Sequence, residues 1–294
     1  MSMTLPLRVV LQGYRFGWLK RGAGVIFDNS PTRLWGGDQV TVPTEAGEMT
    51  LPVRDHGPRQ LLVFGALIHE AAETRLFAAL APRLERAVDI GANVGWYSCL
   101  LGHSGLPTTA KVIAAEPNPN VKPYLVKNAA RYPQILVINE AISDTTGTLT
   151  FFAASSSDLS SSTRRVGEPH SIPSITLDDL VERDLGNVAP DLVKCDVEGG
   201  EYLVLLGARK VRNAENPPIW MIEADERFLL ELGLSYERLE EEVHSASMPL
   251  RKFFVGTDGR WTELATFADL RSTKRVNVAL VPESRQALFD AARW

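Results

Sequence analysis

At 294 residues the chain is long enough for one large α/β domain, or a core of about 200 residues with an extension. Its apolar fraction of 45% and charged fraction of 23% are ordinary for a globular protein. A net charge of −5 without a long basic run argues against a nucleic-acid partner, and no apolar stretch reaches the ~20 residues that span a bilayer. A small-molecule or saccharide substrate is the expectation.

Cys99 and Cys195 match no metal-ligand or redox spacing and sit in apolar runs, where cysteine behaves as a small buried hydrophobe. The first residues carry Arg8 within an apolar stretch and no convincing cleavage site, so a cytoplasmic setting is expected.

Residues 1–60 are rich in Gly and Pro, with β-like pieces at Gln39–Val42 and Met49–Val53. They read as an extension that packs on the main domain or swaps from it, and as the candidate element for a homodimer. Residues 61–294 read as the main domain. Ala71, Leu76, Leu80 and Leu84 fall at helical spacing, predicting a helix over 70–84. Strand and helix then alternate: strands at 87–90, 111–115, 135–139, 149–152, 191–195 and 218–222, and helices after the glycine turn and over 120–132, 177–184 and 201–209. One long charged helix is expected over 227–246, and the strands 251–255, 261–264 and 276–281 close the chain. The turn Thr257-Asp258-Gly259 predicts a hairpin. The serine-rich segment 155–163 reads as a mobile loop, a candidate lid with Arg164, Arg165 and His170 beyond it. This alternation predicts a doubly wound, mainly parallel sheet of Rossmann-like type with a C-terminal antiparallel hairpin. Ligands of such sheets bind beyond the carboxyl ends of the strands.

The first strand end is Asp89-Ile90-Gly91-Ala92-Asn93-Val94-Gly95. Its glycines are spaced Gly-x-x-x-Gly, and Asn93 stands where the dinucleotide fingerprint needs a third glycine. A neutral turn preceded by Asp89 suits a ligand with a positive amine better than a pyrophosphate, and S-adenosylmethionine carries such an amine. Glu116, after the next strand, is placed to accept both ribose hydroxyls of an adenosine. Asn139-Glu140-Ala141 follows the third strand, where an adenine edge would lie. At the fourth, Lys194-Cys195-Asp196-Val197-Glu198-Gly199-Gly200-Glu201 gathers three acids around two glycines. Carboxylates crowded at a strand end resist ionisation unless cations or donors are near, which often marks a site. For Glu198 and Glu201 the bland alternative is an acidic helix start favoured by the helix dipole.

Together these motifs resemble the FkbM family of methyltransferases. The carrying residues are Val88–Ser98, Glu116-Pro117-Asn118, Ile175–Leu180, Val193–Glu201, Val204–Ala208 and Val276–Leu280. The resemblance implies a class I methyltransferase fold with a seven-stranded sheet and S-adenosylmethionine as donor, leaving S-adenosylhomocysteine. It further implies O-methylation of a sugar or natural-product hydroxyl. The glycine turn and Glu116 then belong to the cofactor set, with Tyr97, Ser98 and Pro117 from the same motifs, and Asp196 lies at the cofactor–substrate boundary. Gly200 and Cys195 depart mildly from the pattern.

A hydroxyl acceptor benefits from a base, worth roughly 10²–10⁴ in rate. Asp196 is the first candidate for that role, Glu223 the second, and His69 and His170 follow. Asp196 and Glu223, with Glu198 or Asp225, form an alternative Mg²⁺ site. Two other classes share the architecture: a nicotinamide oxidoreductase, which the glycine spacing disfavours, and a non-catalytic S-adenosylmethionine-binding protein.

Overall fold

Short apolar runs flanked by turns make the strands, because a strand covered by helices on both faces has no solvent side to alternate toward. In the computed structural model, which describes residues 38–53, 55, 58–153, 161–163, 167–256, 259–271 and 276–293, five of them lie parallel and side by side. They are β3 (Arg86–Ile90), β4 (Lys111–Ala115), β5 (Ile135–Ile138), β9 (Leu192–Cys195) and β10 (Ile219–Ala224). β9 and β10 are buried at every position.

The sheet has eight strands in the order β12-β11-β13-β10-β9-β3-β4-β5. From β3 the chain first moves outward through β4 to β5, then returns to β9 on the other flank. That reversal leaves a crevice beyond the carboxyl ends of β3 and β9. β13 (Val276–Pro282) runs antiparallel between β10 and β11 (Leu250–Val255). The expected C-terminal hairpin is β11 with β12 (Trp261–Leu264), and β12 is the strand beyond the seven implied by the resemblance. Of its turn, Thr257 and Asp258 lie outside the described residues.

Helices pack on both faces. α1 (Arg59–Phe64) and α2 (Ala71–Leu80) precede β3, α3 (Trp96–His103) follows it, and α4 (Lys122–Ala129) follows β4. The helix expected over 70–84 is α2 between two 3₁₀ turns, the second containing Pro82. α5 (Leu177–Asp184) is capped by the Thr176 hydroxyl, which accepts from the Asp179 amide. α6 (Glu201–Leu206) and α7 (Arg209–Arg212) replace a single expected helix over 201–209. The long helix expected over 227–246 is likewise two, α8 (Glu226–Glu231) and α9 (Tyr236–His244). Between them Gly233 takes φ +71°, a left-handed conformation that ends a helix. α10 (Gln286–Ala292) closes the chain.

A smaller sheet, β6-β8-β7, lies beside the crevice. β7 (Gly147–Ala153) contains the expected aromatic strand, and β6 (Ala141–Ile142) follows β5 directly. β8 (Glu168–Ile175) has no counterpart in the sequence reading; Pro169 and Pro173 masked its strand pattern. Of the serine-rich segment, 154–160 lie outside the described residues, as do Arg164 and Arg165.

β1 (Gln39–Thr44) and β2 (Gly47–Pro52) form an antiparallel hairpin whose Val42, Met49 and Leu51 share the core of α2 and α3. Asn128 in α4 fastens it: its side chain accepts from the Thr50 amide at 2.7 Å and donates to the Thr50 and Val94 carbonyls. Residues 1–37, on which much of the homodimer expectation rests, lie outside the described residues. Cys99 and Cys195 are buried free thiols. Among the described residues no helix is long and apolar enough to cross a membrane.

Candidate active site

The crevice is a cavity of about 940 Å³, large for a single-ligand pocket, and acids dominate its ionisable wall. Its floor is the contact of two strand ends. Gly91 takes φ +77°, and a Cβ there would stand 1.8 Å from the backbone oxygen of Asp196. Only glycine lets the β3 and β9 ends approach this closely. Gly95, also left-handed, starts α3, where a Cβ would press to 2.8 Å from Leu125.

Asp89 is buried at the end of β3 and accepts from the Ser98 amide at 3.0 Å and hydroxyl at 2.6 Å. Burial pushes its carboxyl upward, while Lys194 and Ser98 pull it back. Ser98 itself is fully buried and is not in the cavity wall, so its part is to hold Asp89.

Glu116, after β4, accepts from the Asn93 amide at 2.8 Å on one oxygen and the Asn118 amide at 2.7 Å on the other. A carboxylate has about four lone-pair sites, so each oxygen keeps capacity for a ligand hydroxyl. Burial pushes Glu116 up to about 7 despite these two amides. Asn93, at φ +50°, is the non-glycine that lets its amide reach Glu116.

Ala92, Tyr97, Pro117, Glu140 and Ala141 also line the cavity. The Glu140 carboxylate is engaged by Arg183, bonds of 3.0 and 2.6 Å. Asn139 is not in the wall.

At the end of β9 the Asp196 carboxylate accepts from the buried Lys194 ammonium at 2.8 Å. Burial alone would drive that ammonium down, but Asp196, Glu70 and Asp89 together hold it up. It also lies 4.8 Å from the centre of the Tyr97 ring, whose hydroxyl donates to Glu70 at 2.5 Å. Glu201 is not in the cavity wall and accepts from the Val197 and Gly199 amides, holding the loop that carries Asp196 and Glu198. Ser161 donates to the Glu198 carbonyl at 2.9 Å, and the neighbouring Ser162 lines the cavity.

Glu223 closes β10 and is buried in the same wall. Carboxylate oxygens of Asp196, Glu198 and Glu223 lie within 4.8 Å of one another, a spacing a cation could bridge. Asp225 takes a different part: it caps α8 through the Arg227 amide and pairs with the Arg227 side chain. His69 is exposed at the cavity wall, whereas His170 sits in β8 outside it.

Lys194 and Glu73 are among the wall residues that the sequence does not single out. Lys194 is a charge inside an apolar strand, a signal that was present but unused. Glu73 is buried on the face of α2 that carries Leu76, Phe77 and Leu80, an acid on an apolar stripe.

The glycine turn, an acid after the second core strand and acids after the fourth stand together in one cavity at the strand ends of an α/β sheet. Residues 89–245 match the model of the methyltransferase FkbM domain, and the chain belongs to that family. The matched stretch is thus a methyltransferase domain. The chain is 33% identical over 161 residues to the hexuronic acid methyltransferase AglP of Haloferax volcanii, covering 53% of this chain. It spans 63% of the length of that curated relative. Among solved structures, a methyltransferase FkbM from Methylobacillus flagellatus aligns at a TM-score of 0.44 and 19% identity, over 67% of this chain and 43% of that one. The O-methyltransferase TomG from Streptomyces achromogenes, in complex with S-adenosylmethionine, aligns at 0.41 and 16% identity, over 76% and 86%.

Proposed function

We propose that the protein transfers a methyl group from S-adenosylmethionine to a hydroxyl of a sugar or sugar-bearing natural product. The carrying observation is the Asp196 carboxylate, pinned by Lys194 at the end of β9 and facing the cavity beside the Gly91 turn. The sugar class is supported by the relative that acts on hexuronic acid.

The residues present suit this donor chemically. Asp89, Glu116 and the acids around Lys194 make a wall that favours a sulfonium and an ammonium, and Glu116 retains acceptor capacity for ribose hydroxyls. When bound, the donor supplies an electrophilic methyl whose thioether leaving group needs no proton. What remains for the protein is alignment and proton removal, of which alignment alone contributes several kcal/mol. Asp196 orients the acceptor hydroxyl and takes its proton. Lys194 keeps that carboxylate in one place, and Glu223 stands second in the same wall. His69, exposed at the wall, is a third candidate for proton traffic.

A second reading adds Mg²⁺ on Asp196, Glu198 and Glu223, favoured by their spacing. It must compete with Lys194, which already supplies positive charge beside Asp196. The domain reading is an extension over 1–60 followed by the methyltransferase over 61–294. Incubating the protein with methyl-labelled donor and a panel of hydroxylated glycosides tests the proposal. Label in an O-methyl ether is the expected result; label on nitrogen or carbon, or none in any glycoside, would refute it.

A further inference from the structure

Glu73 is a buried acid of the cavity wall to which the proposed chemistry gives no part. It is 4% exposed, lines the cavity from the first turn of α2, and its Oε2 has no hydrogen-bond partner among the described residues. A buried carboxyl oxygen without a donor costs stability, so its retention on an otherwise apolar helix face calls for a ligand. The Asn277 side chain hydrogen-bonds Glu73 and also lines the cavity. Burial, opposed by hydrogen bonds that include Asn277, brings Glu73 to about 7.

The position of this pair separates it from Glu116, the expected ribose ligand. Asn277 is the register partner of Glu223 across β13 and β10. Glu116 follows β4, which lies four places from β13 in the sheet order, a span of roughly 19 Å at strand spacing. Glu73 and Asn277 therefore face the Asp196 and Glu223 side of the cavity, away from Glu116.

We propose that Glu73 and Asn277 form an acceptor subsite, in which the Glu73 carboxyl turns to accept a hydrogen bond from a second hydroxyl of the molecule being methylated. This rests on the reading of the protein as a hydroxyl methyltransferase and deepens it: the acceptor is a polyol that presents at least two hydroxyls. A mono-alcohol would leave Glu73 buried and unsatisfied in the complex, which is how such a site rejects an analogue lacking the group.

The full chain, Glu73→Leu and Glu73→Gln would be compared in three ways. S-adenosylhomocysteine affinity by calorimetry is expected to stay within about threefold in all three proteins, since the pair lies apart from Glu116. The melting temperature of Glu73→Leu is expected to equal or exceed that of the wild type, because an unsatisfied carboxyl is removed. Transfer to methyl glucoside, galactoside, mannoside and rhamnoside is expected to show an acceptor KM raised about tenfold in Glu73→Leu. Glu73→Gln, which keeps an acceptor oxygen, should recover most of it, and the KM for the donor should not move. A Glu73→Leu protein that melts clearly lower or loses S-adenosylhomocysteine would make Glu73 structural and overturn the subsite. An unchanged acceptor KM would do the same. If the wild type methylates none of the glycosides, the sugar reading fails, and the first two measurements still decide Glu73.

Discussion

The ammonium of Lys194 lies 2.8 Å from the Asp196 carboxylate and 4.8 Å from the centre of the Tyr97 ring, so one buried cation holds the strand end where the chemistry is proposed. Lys194 is 3% exposed and shares its face of β9 with Leu192. Removing one partner of a buried pair leaves the other uncompensated. Lys194→Met should therefore lower stability by about 2 kcal/mol, below the roughly 3–5 kcal/mol of fully buried pairs because Asp196 is partly solvated. Urea denaturation checks this, and an unchanged midpoint would show that the pair is dispensable.

Gly91→Ala should damage the protein more than any surface change. The added Cβ meets backbone 1.8 Å away, at a positive φ, so neither a rotamer nor a flexible neighbour can relieve it. A loss of about 3 kcal/mol corresponds to a melting point lowered by about 6–12 °C. Thermal unfolding that matches the wild type would contradict the close approach of β3 and β9.

Three buried acids give the pH dependence. Glu73, Glu116 and Glu201 are each raised from 4.5 to about 7, with burial the main cause. The folded chain thus holds protons that the unfolded chain releases. Their contribution to stability is complete below pH 4.5 and is lost as pH rises through about 7. The melting temperature of the ligand-free protein should fall between pH 5 and 7 and level above that. Ribose hydroxyls donate best to ionised Glu116, so S-adenosylhomocysteine should bind more tightly at pH 8 than at pH 6. Calorimetry at the two values checks the sign.

Chelation separates the two sources of positive charge at Asp196. With Lys194 in that role, activity should survive EDTA in full. Loss of turnover in EDTA, restored by Mg²⁺, would instead assign a metal to Asp196, Glu198 and Glu223.

Much of the fold and part of the cavity wall were legible because parallel strands announce themselves as short apolar runs and their ligands gather at strand ends. Asp89, Gly91, Glu116, Asp196 and Glu223 were all named from position alone, and all line one cavity. Ser98 was named from the family motif and Asn139 from its place after the third strand, yet Ser98 turns inward to Asp89 and Asn139 stays out of the wall. Their motif neighbours gave no sign of which way each side chain points. Glu73 escaped because a helical acid three residues from Glu70 looks solvated until the fold brings Asn277 of β13 beside it. The place of β13 between β10 and β11 is a long-range choice that no local pattern encodes, and Gly233 alone marked the break between α8 and α9.

Asp196→Ala tests the central claim most directly, with S-adenosylhomocysteine affinity and methyl transfer measured on the same sample. The account predicts cofactor affinity within about threefold of wild type and transfer reduced by roughly 10²-fold or more. Transfer that persists at the wild-type rate, in a variant that still binds the cofactor, would contradict it.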